Sequence, residues 1–140
     1  MYEIIPDLWI CQKKLLKDIN MNNILHINCE HFSSHISNYK KYDLHIRESI
    51  IKKDIVSLYT FIKNNIDLIN TNLLINKVVI VSCADCDILS PLMICCFLIK
   101  FGKLDIQESI LCLESKTNIM IKEDIFFNFI IKKIYNDSKK

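Results

Sequence analysis

The alternation of hydrophobic and polar residues predicts several short strands along the chain. Residues 2–10, YEIIPDLWI, read as two short extended segments separated by a proline, with Trp9 as an expected core anchor. Residues 24–28 alternate well enough for a buried strand, and residues 42–46 predict a further one. The β-branched run of residues 78–81, VVIV, is too short for a helix and is typical of a central strand buried on both faces.

Helical spacing appears between and after these strands. One helix is predicted to begin at its N-cap, Asp54, with an apolar face formed by Ile55, Leu58, Tyr59, Ile62, Ile66 and Ile69. A second follows Gly102, an expected C-cap, and begins at Asp105 with a buried face of Ile106, Ile110 and Leu113. A third covers residues 122–135, with Phe126, Phe129, Ile130 and Ile134. This order predicts an α/β fold, in which helices flank a central mixed, mostly parallel sheet, in a single domain over residues 1–140.

The segment from the central strand to the next helix has the local physics of an anion site. Ser90 stands where an N-cap is expected, Pro91 takes the first helical position, and residues 92–99 continue as a strongly apolar helix. At such a corner the unpaired backbone amides and the helix dipole converge on the loop. The position therefore favours a negatively charged ligand.

This segment resembles the signature of the cysteine-dependent phosphatases, and specifically that of the small dual-specificity phosphatases. That signature is a strand, then His-Cys, five residues, Arg and Ser, then a helix. Without gaps, the His position is Ser82, the nucleophile is Cys83, the loop glycine is Cys86, the arginine is Leu89 and the serine is Ser90. The resemblance extends from the opening strand to the last helix, and it implies a protein tyrosine phosphatase-like fold.

The replaced positions have physical consequences. The family's arginine clamps the phosphoryl oxygens, so Leu89 removes the main electrostatic contribution, and the chain's one arginine is Arg47. Asp85 and Asp87 stand inside the loop, where they would repel a phosphate dianion and oppose ionisation of the Cys83 thiol. The sequence therefore predicts a dismantled catalytic loop.

The family's general acid is also missing. It lies on a loop before the long helix, and counting back from the helix assigns its position to Ser49, with Glu48 beside it. The resemblance is closest to the inactive members, the pseudophosphatases, so it implies that Cys83 and Ser90 are vestigial and that no functional catalytic residue remains. We expect a protein that is not an enzyme and uses no cofactor.

Binding of a protein partner is the function that these losses favour. The surface around the former catalytic loop is predicted to be acidic and apolar, and it consists of Cys83, Asp85, Asp87, Ile88 and Leu89. Such a surface favours a non-phosphorylated or basic partner. Three alternatives stay open: a phosphoprotein-binding competitor that shields substrates, a residual phosphatase that uses Cys83 with Glu48, and a self-associating scaffold such as a homodimer.

Composition limits the ligand classes and the cellular compartment that the sequence predicts. A net charge of +2 with interspersed acids and bases gives no electrostatic footprint for nucleic acid or membrane, and the longest apolar run is far shorter than a bilayer span. Seven cysteines, an odd number, suit reduced thiols in the cytoplasm.

Two further kinds of site are weighed on the cysteines. Cys29, His31 and His35 lack a fourth ligand at zinc spacing, so no metal is predicted. The dithiol spacing of Cys83 and Cys86 is kept as a minor redox alternative. The excess of Ile, Asn and Lys is typical of an AT-rich genome, and a viral source is a hypothesis.

Overall fold

The computed structural model describes residues 1–17, 19–20, 22–29, 44–83, 89–121 and 125–139. Within them, four strands form one sheet in the order β1-β2-β4-β3, where the strands are β1 Tyr2–Ile5, β2 Leu8–Gln12, β3 Ile24–Asn28 and β4 Val78–Cys83. β1 pairs antiparallel with β2, whereas β4 pairs in parallel with β2 on one side and β3 on the other. The predicted mixed, mostly parallel sheet is confirmed, with the β-branched run at its centre.

Four α-helices accompany this sheet in the described ranges, and a short 3₁₀ helix, Lys13–Leu16, follows β2. The α-helices are α1 Leu44–Leu74, α2 Leu89–Lys100, α3 Ile106–Lys116 and α4 Ile125–Ser138. All residues of α2 from Leu89 to Ile99 are buried, and α1, α3 and α4 all pack against it. Helix α2 is therefore the central helix of the hydrophobic core. None of the described helices has the length and apolarity to cross a membrane.

The two faces of the sheet differ in their packing. Leu8 and Ile10 are fully buried in the main core, together with Val79 and Val81 of the neighbouring strand. Successive side chains of a strand alternate between faces, so Trp9 belongs to the opposite face, where it is half-buried. The prediction that Trp9 anchors the core is therefore wrong.

Helix α1 begins ten residues earlier than predicted. Residues 44–46 are helical, so the strand predicted over residues 42–46 is wrong there, and residues 42–43 lie outside the described part. Asp54 lies inside the helix and is not its N-cap. The apolar spacing explains the difference, because Leu44 and Ile51 continue the helical stripe of Ile55 and Leu58 towards the N-terminus.

Helix α2 ends at Lys100, and the chain then turns through Gly102. The residue with positive φ in this turn is Lys103, at 60°, whereas Gly102 has no positive φ. Glycine is required at position 102 for another reason, since a Cβ there would lie 2.6 Å from the Leu98 carbonyl oxygen. The only glycine of the chain thus allows close backbone approach rather than a left-handed cap.

The last two helices follow the predicted patterns with two exceptions, of which the first is Ile106 on α3, which is half-buried rather than buried. Asp105 caps α3 in a capping box, in which its carboxylate accepts the Glu108 amide at 2.7 Å and the Glu108 carboxylate accepts the Asp105 amide at 3.1 Å. In α4, Phe126 and Ile130 are buried as expected. Phe129 is 49% exposed, so its predicted burial is wrong.

Candidate functional site

The candidate site lies at the carboxyl ends of the three parallel strands. β4 ends at Cys83, which pairs with Gln12 of β2, and α2 begins at Leu89. In open α/β sheets this edge is where ligands bind. The predicted loop residues Asp85, Cys86, Asp87 and Ile88 lie outside the described residues, as does the Cys83 side chain. The backbone therefore places Cys83 at the end of the central strand, where the family resemblance expects the nucleophile.

Ser82, at the family's histidine position, is part of the sheet's own bonding. Its Oγ lies 2.6 Å from Nε2 of His26 on β3, and its carbonyl oxygen accepts the Cys29 amide at 2.7 Å. The residue is fully buried. The Ser82 hydroxyl therefore serves a contact between β3 and β4.

Leu89, at the family's arginine position, is a core residue. Its side chain is 2% exposed and belongs to the same apolar cluster as Leu92 and Met93. The prediction that Leu89 contributes to an exposed interaction surface is therefore wrong. The apolar run of residues 92–99 begins three positions later, and the burial of Leu89 extends the buried stretch back to the first turn of α2.

Ser90 lies inside the first turn of α2 and not before it, so its predicted role as N-cap is wrong. Pro91 is correspondingly the third helical residue and not the first. The Ser90 residue is fully buried, and its Oγ has no hydrogen-bond partner among the residues that the structure describes. A buried hydroxyl without a partner costs free energy, so the Ser90 Oγ, which no described residue satisfies, is a candidate contact for a ligand.

The position predicted for the general acid is helical. Glu48 and Ser49 both belong to α1, so their assignment to a loop is wrong. Of these two residues the structure describes the backbone only.

Two cysteines of the buried core, Cys95 and Cys96, are poor candidates for a nucleophile. Burial raises the pKa of the Cys95 thiol to about 12, and burial also raises the pKa of its neighbour Cys96 well above the usual value. Both thiols therefore stay protonated at neutral pH. Cys29 is buried, whereas His31 and His35 fall outside the described part of the chain. No cluster of potential metal ligands occurs among the described residues.

A second group of polar residues, which sequence reasoning missed, lies between α1 and α4. The Tyr59 hydroxyl donates a hydrogen bond to the Asp137 carboxylate, and this bond is the main reason why the pKa of Tyr59 is raised to about 12. The Nζ atoms of Lys133 and Lys63 lie 4.8 Å and 6.0 Å from the centroid of the Tyr59 ring. No local pattern signals this group, because Tyr59 and Asp137 are 78 positions apart.

Comparison with solved structures identifies the fold. The chain is similar to PTPMT1, a protein tyrosine phosphatase of the dual-specificity type, in its crystal structure. The TM-score is 0.64 with 11% sequence identity, over 99% of this chain and 95% of that chain. No protein-family model matches the sequence, and no curated protein matches it. The similarity shows that the chain has the protein tyrosine phosphatase-like fold.

Proposed function

We propose that this dual-specificity-phosphatase-like fold belongs to a pseudophosphatase, which has lost phosphoryl transfer and acts by binding a protein partner. The burial of Leu89, which is 2% exposed, carries the proposal. Phosphoryl transfer depends on charged donors aimed at the phosphoryl oxygens, and an arginine supplies them in a fixed fork. A core leucine at this position supplies no such charge.

The neighbouring positions support the same conclusion. The Ser82 hydroxyl is hydrogen-bonded to His26, and the chain's one arginine, Arg47, belongs to α1 rather than to the corner between β4 and α2. Positioned groups act together in phosphoryl transfer, so the loss of several removes the reaction rather than slowing it slightly.

Hydrolysis of a generic aryl phosphate tests the inactivity. We expect the wild-type protein and Cys83→Ser to give the same background rate. Cys112→Ser, at a half-buried thiol on α3, is the matched control for a cysteine substitution elsewhere. Turnover by the wild type that only Cys83→Ser abolishes would establish a residual phosphatase, and Glu48→Gln would then test its acid.

Shielding of phosphoproteins is a second candidate function, favoured by the buried Ser90 hydroxyl in the first turn of α2, which has no hydrogen-bond partner among the described residues. NMR titration with phosphate, tungstate and a phosphotyrosine peptide tests it through the amides of Ser82 and Ser90. Saturable shifts that Ser90→Ala weakens would favour shielding. Unchanged spectra at millimolar ligand would exclude the shielding of phosphoproteins, and binding of a partner that is not recognised through phosphate would remain.

The surface used for the partner is tested separately. With Leu89 in the core, the predicted acidic surface reduces to Cys83, Asp85, Asp87 and Ile88. Charge reversal at Asp85 and Asp87 should weaken binding if the partner uses this loop. Light scattering of the purified protein tests the self-association alternative.

A further inference from the structure

A groove follows the seam between α1 and α4, in a different part of the molecule from the corner between β4 and α2. We define this α1–α4 groove by Val56, Tyr59, Lys63, Phe129, Lys133 and Asp137. It consists of two adjoining cavities of about 550 Å³ and 450 Å³, and Tyr59 and Lys133 line both of them. The first cavity lies towards Val56 and Phe129, and the second towards Lys63 and Asp137.

The first cavity is an apolar end. Val56 is 65% exposed and Phe129 is 49% exposed, and Ile55 adds a further apolar wall. Phe129 is exposed although Phe126 and Ile130 of the same helix are buried. Two large apolar side chains that face one cavity form a ready contact for the apolar face of another chain.

The second cavity is a basic end. Lys63, Lys100 and Lys133 line it together with a single carboxylate, that of Asp137. This carboxylate accepts the Tyr59 hydroxyl, and Lys100 pairs with Asp67 at 2.6 Å. Lys63 and Lys133 instead lie near the Tyr59 ring, with their Nζ atoms 6.0 Å and 4.8 Å from its centroid. This end of the groove therefore attracts negative charge.

We propose that the α1–α4 groove binds a short amphipathic helix of a protein partner, with large apolar side chains at one end and carboxylates at the other. The chemistry of the two ends argues for this occupant, since a basic segment would be repelled by the lysines and a uniformly apolar segment would match only the apolar end. Val56 and Lys63 are seven residues apart on α1, so the apolar anchors and the carboxylates should be about 10 Å, or about two helical turns, apart. The inference deepens the proposed interaction role and rests on it.

Selection from a random peptide library displayed on phage tests the inference, with the full chain as the target. We expect the enriched peptides to carry Leu, Phe or Met together with Asp or Glu about two turns away. Synthetic copies should bind at least about tenfold more weakly to Phe129→Ser and to Lys133→Glu, and added salt should weaken their binding.

The matched controls lie on α3. Leu111→Ser removes another exposed apolar side chain, and Lys116→Glu reverses another exposed lysine, so both should leave the peptide affinity unchanged. All four positions are exposed, and a thermal melt of each variant verifies that it folds. Peptides without acidic residues, or peptides that bind both groove variants as tightly as the wild type, would overturn the inference.

Other occupants have distinct results. Light scattering tests for a dimer. If the wild type is a dimer and Phe129→Ser is a monomer, the groove binds a second copy of this chain, and the inference is overturned. Failure of the proposed function is separable from this result. The protein could hydrolyse an aryl phosphate through Cys83 and still bind peptides through the groove. In that case the inference about the groove would hold, and the proposed catalytic inactivity would be wrong.

Discussion

The corner between β4 and α2 and the α1–α4 groove differ in the burial of their side chains. At the corner, Leu89 is part of the core and Ser90 is fully buried. In the groove, lysines and a half-buried tyrosine surround an accessible cavity. In the dual-specificity phosphatases that the chain resembles, the corner is where positive charge meets the ligand. The comparison teaches that the first turn of α2 contributes to the core, whereas the lysines around the cavity between α1 and α4 stay accessible to solvent.

Replacing Leu89 with arginine is the strongest way to break this comparison. We expect Leu89→Arg to lower the free energy of unfolding by about 3–5 kcal/mol, because it places an unpaired charge in the core. Leu89→Met, the matched control, should cost less than about 1.5 kcal/mol. Urea unfolding measures both. Leu89→Arg should also create no hydrolysis of an aryl phosphate. A stable variant that turns over substrate would mean that the corner is still an anion site.

Removing the Ser90 hydroxyl tests whether this buried group has a hydrogen-bond partner. We expect Ser90→Ala to leave the free energy of unfolding unchanged or to raise it by about 1 kcal/mol, because the buried hydroxyl that it removes has no partner among the described residues. Ser109→Ala is the matched control, since the Ser109 Oγ is also buried but donates to the Ile106 carbonyl oxygen at 2.7 Å. It should cost about 0.5–1.5 kcal/mol. A comparable loss for Ser90→Ala would reveal a partner of its hydroxyl.

The ionisation of Tyr59 tests the groove. Its pKa is raised from 10.0 to about 12, so the folded state favours the protonated phenol. The resulting stabilisation is therefore present below pH 10 and is lost between about pH 10 and 12. Ultraviolet titration of the five tyrosines should show a late component near pH 12 that Tyr59→Phe removes. A wild-type titration without it would contradict the contact with Asp137.

Much of the fold is readable from local patterns, and the failures have a common cause. The run of residues 78–81 predicts the central strand correctly, since β-branched residues buried on both faces need no long-range information. The start of α1 is missed because Asp54 resembles a cap, although the apolar stripe continues upstream to Leu44. Phe129 is assigned to the core because spacing gives a face but not the width of the buried surface.

The sequence predicts where the residues of the candidate site lie relative to the central strand, but it does not predict how deeply they are buried. The strand pattern puts Ser82 and Cys83 near the end of the central strand, and the structure has both of them in β4, with Leu89 at the start of α2. The burial of Leu89 depends on how α2 enters the core. The contact between Tyr59 and Asp137 joins helices distant in sequence, and only the packed structure brings them together.

The central position of β4 also constrains how the chain folds. β3 ends at Asn28 and has no strand neighbour other than β4, which begins at Val78, in the described sheet. Before β4 is synthesised, β1 and β2 can form a hairpin, but β3 lacks the strand with which it pairs in the described sheet. Assembly of the sheet therefore requires closure of a long loop, which slows folding. We expect hydrogen-exchange labelling during refolding to protect the amides of β3 and β4 together, in one late step.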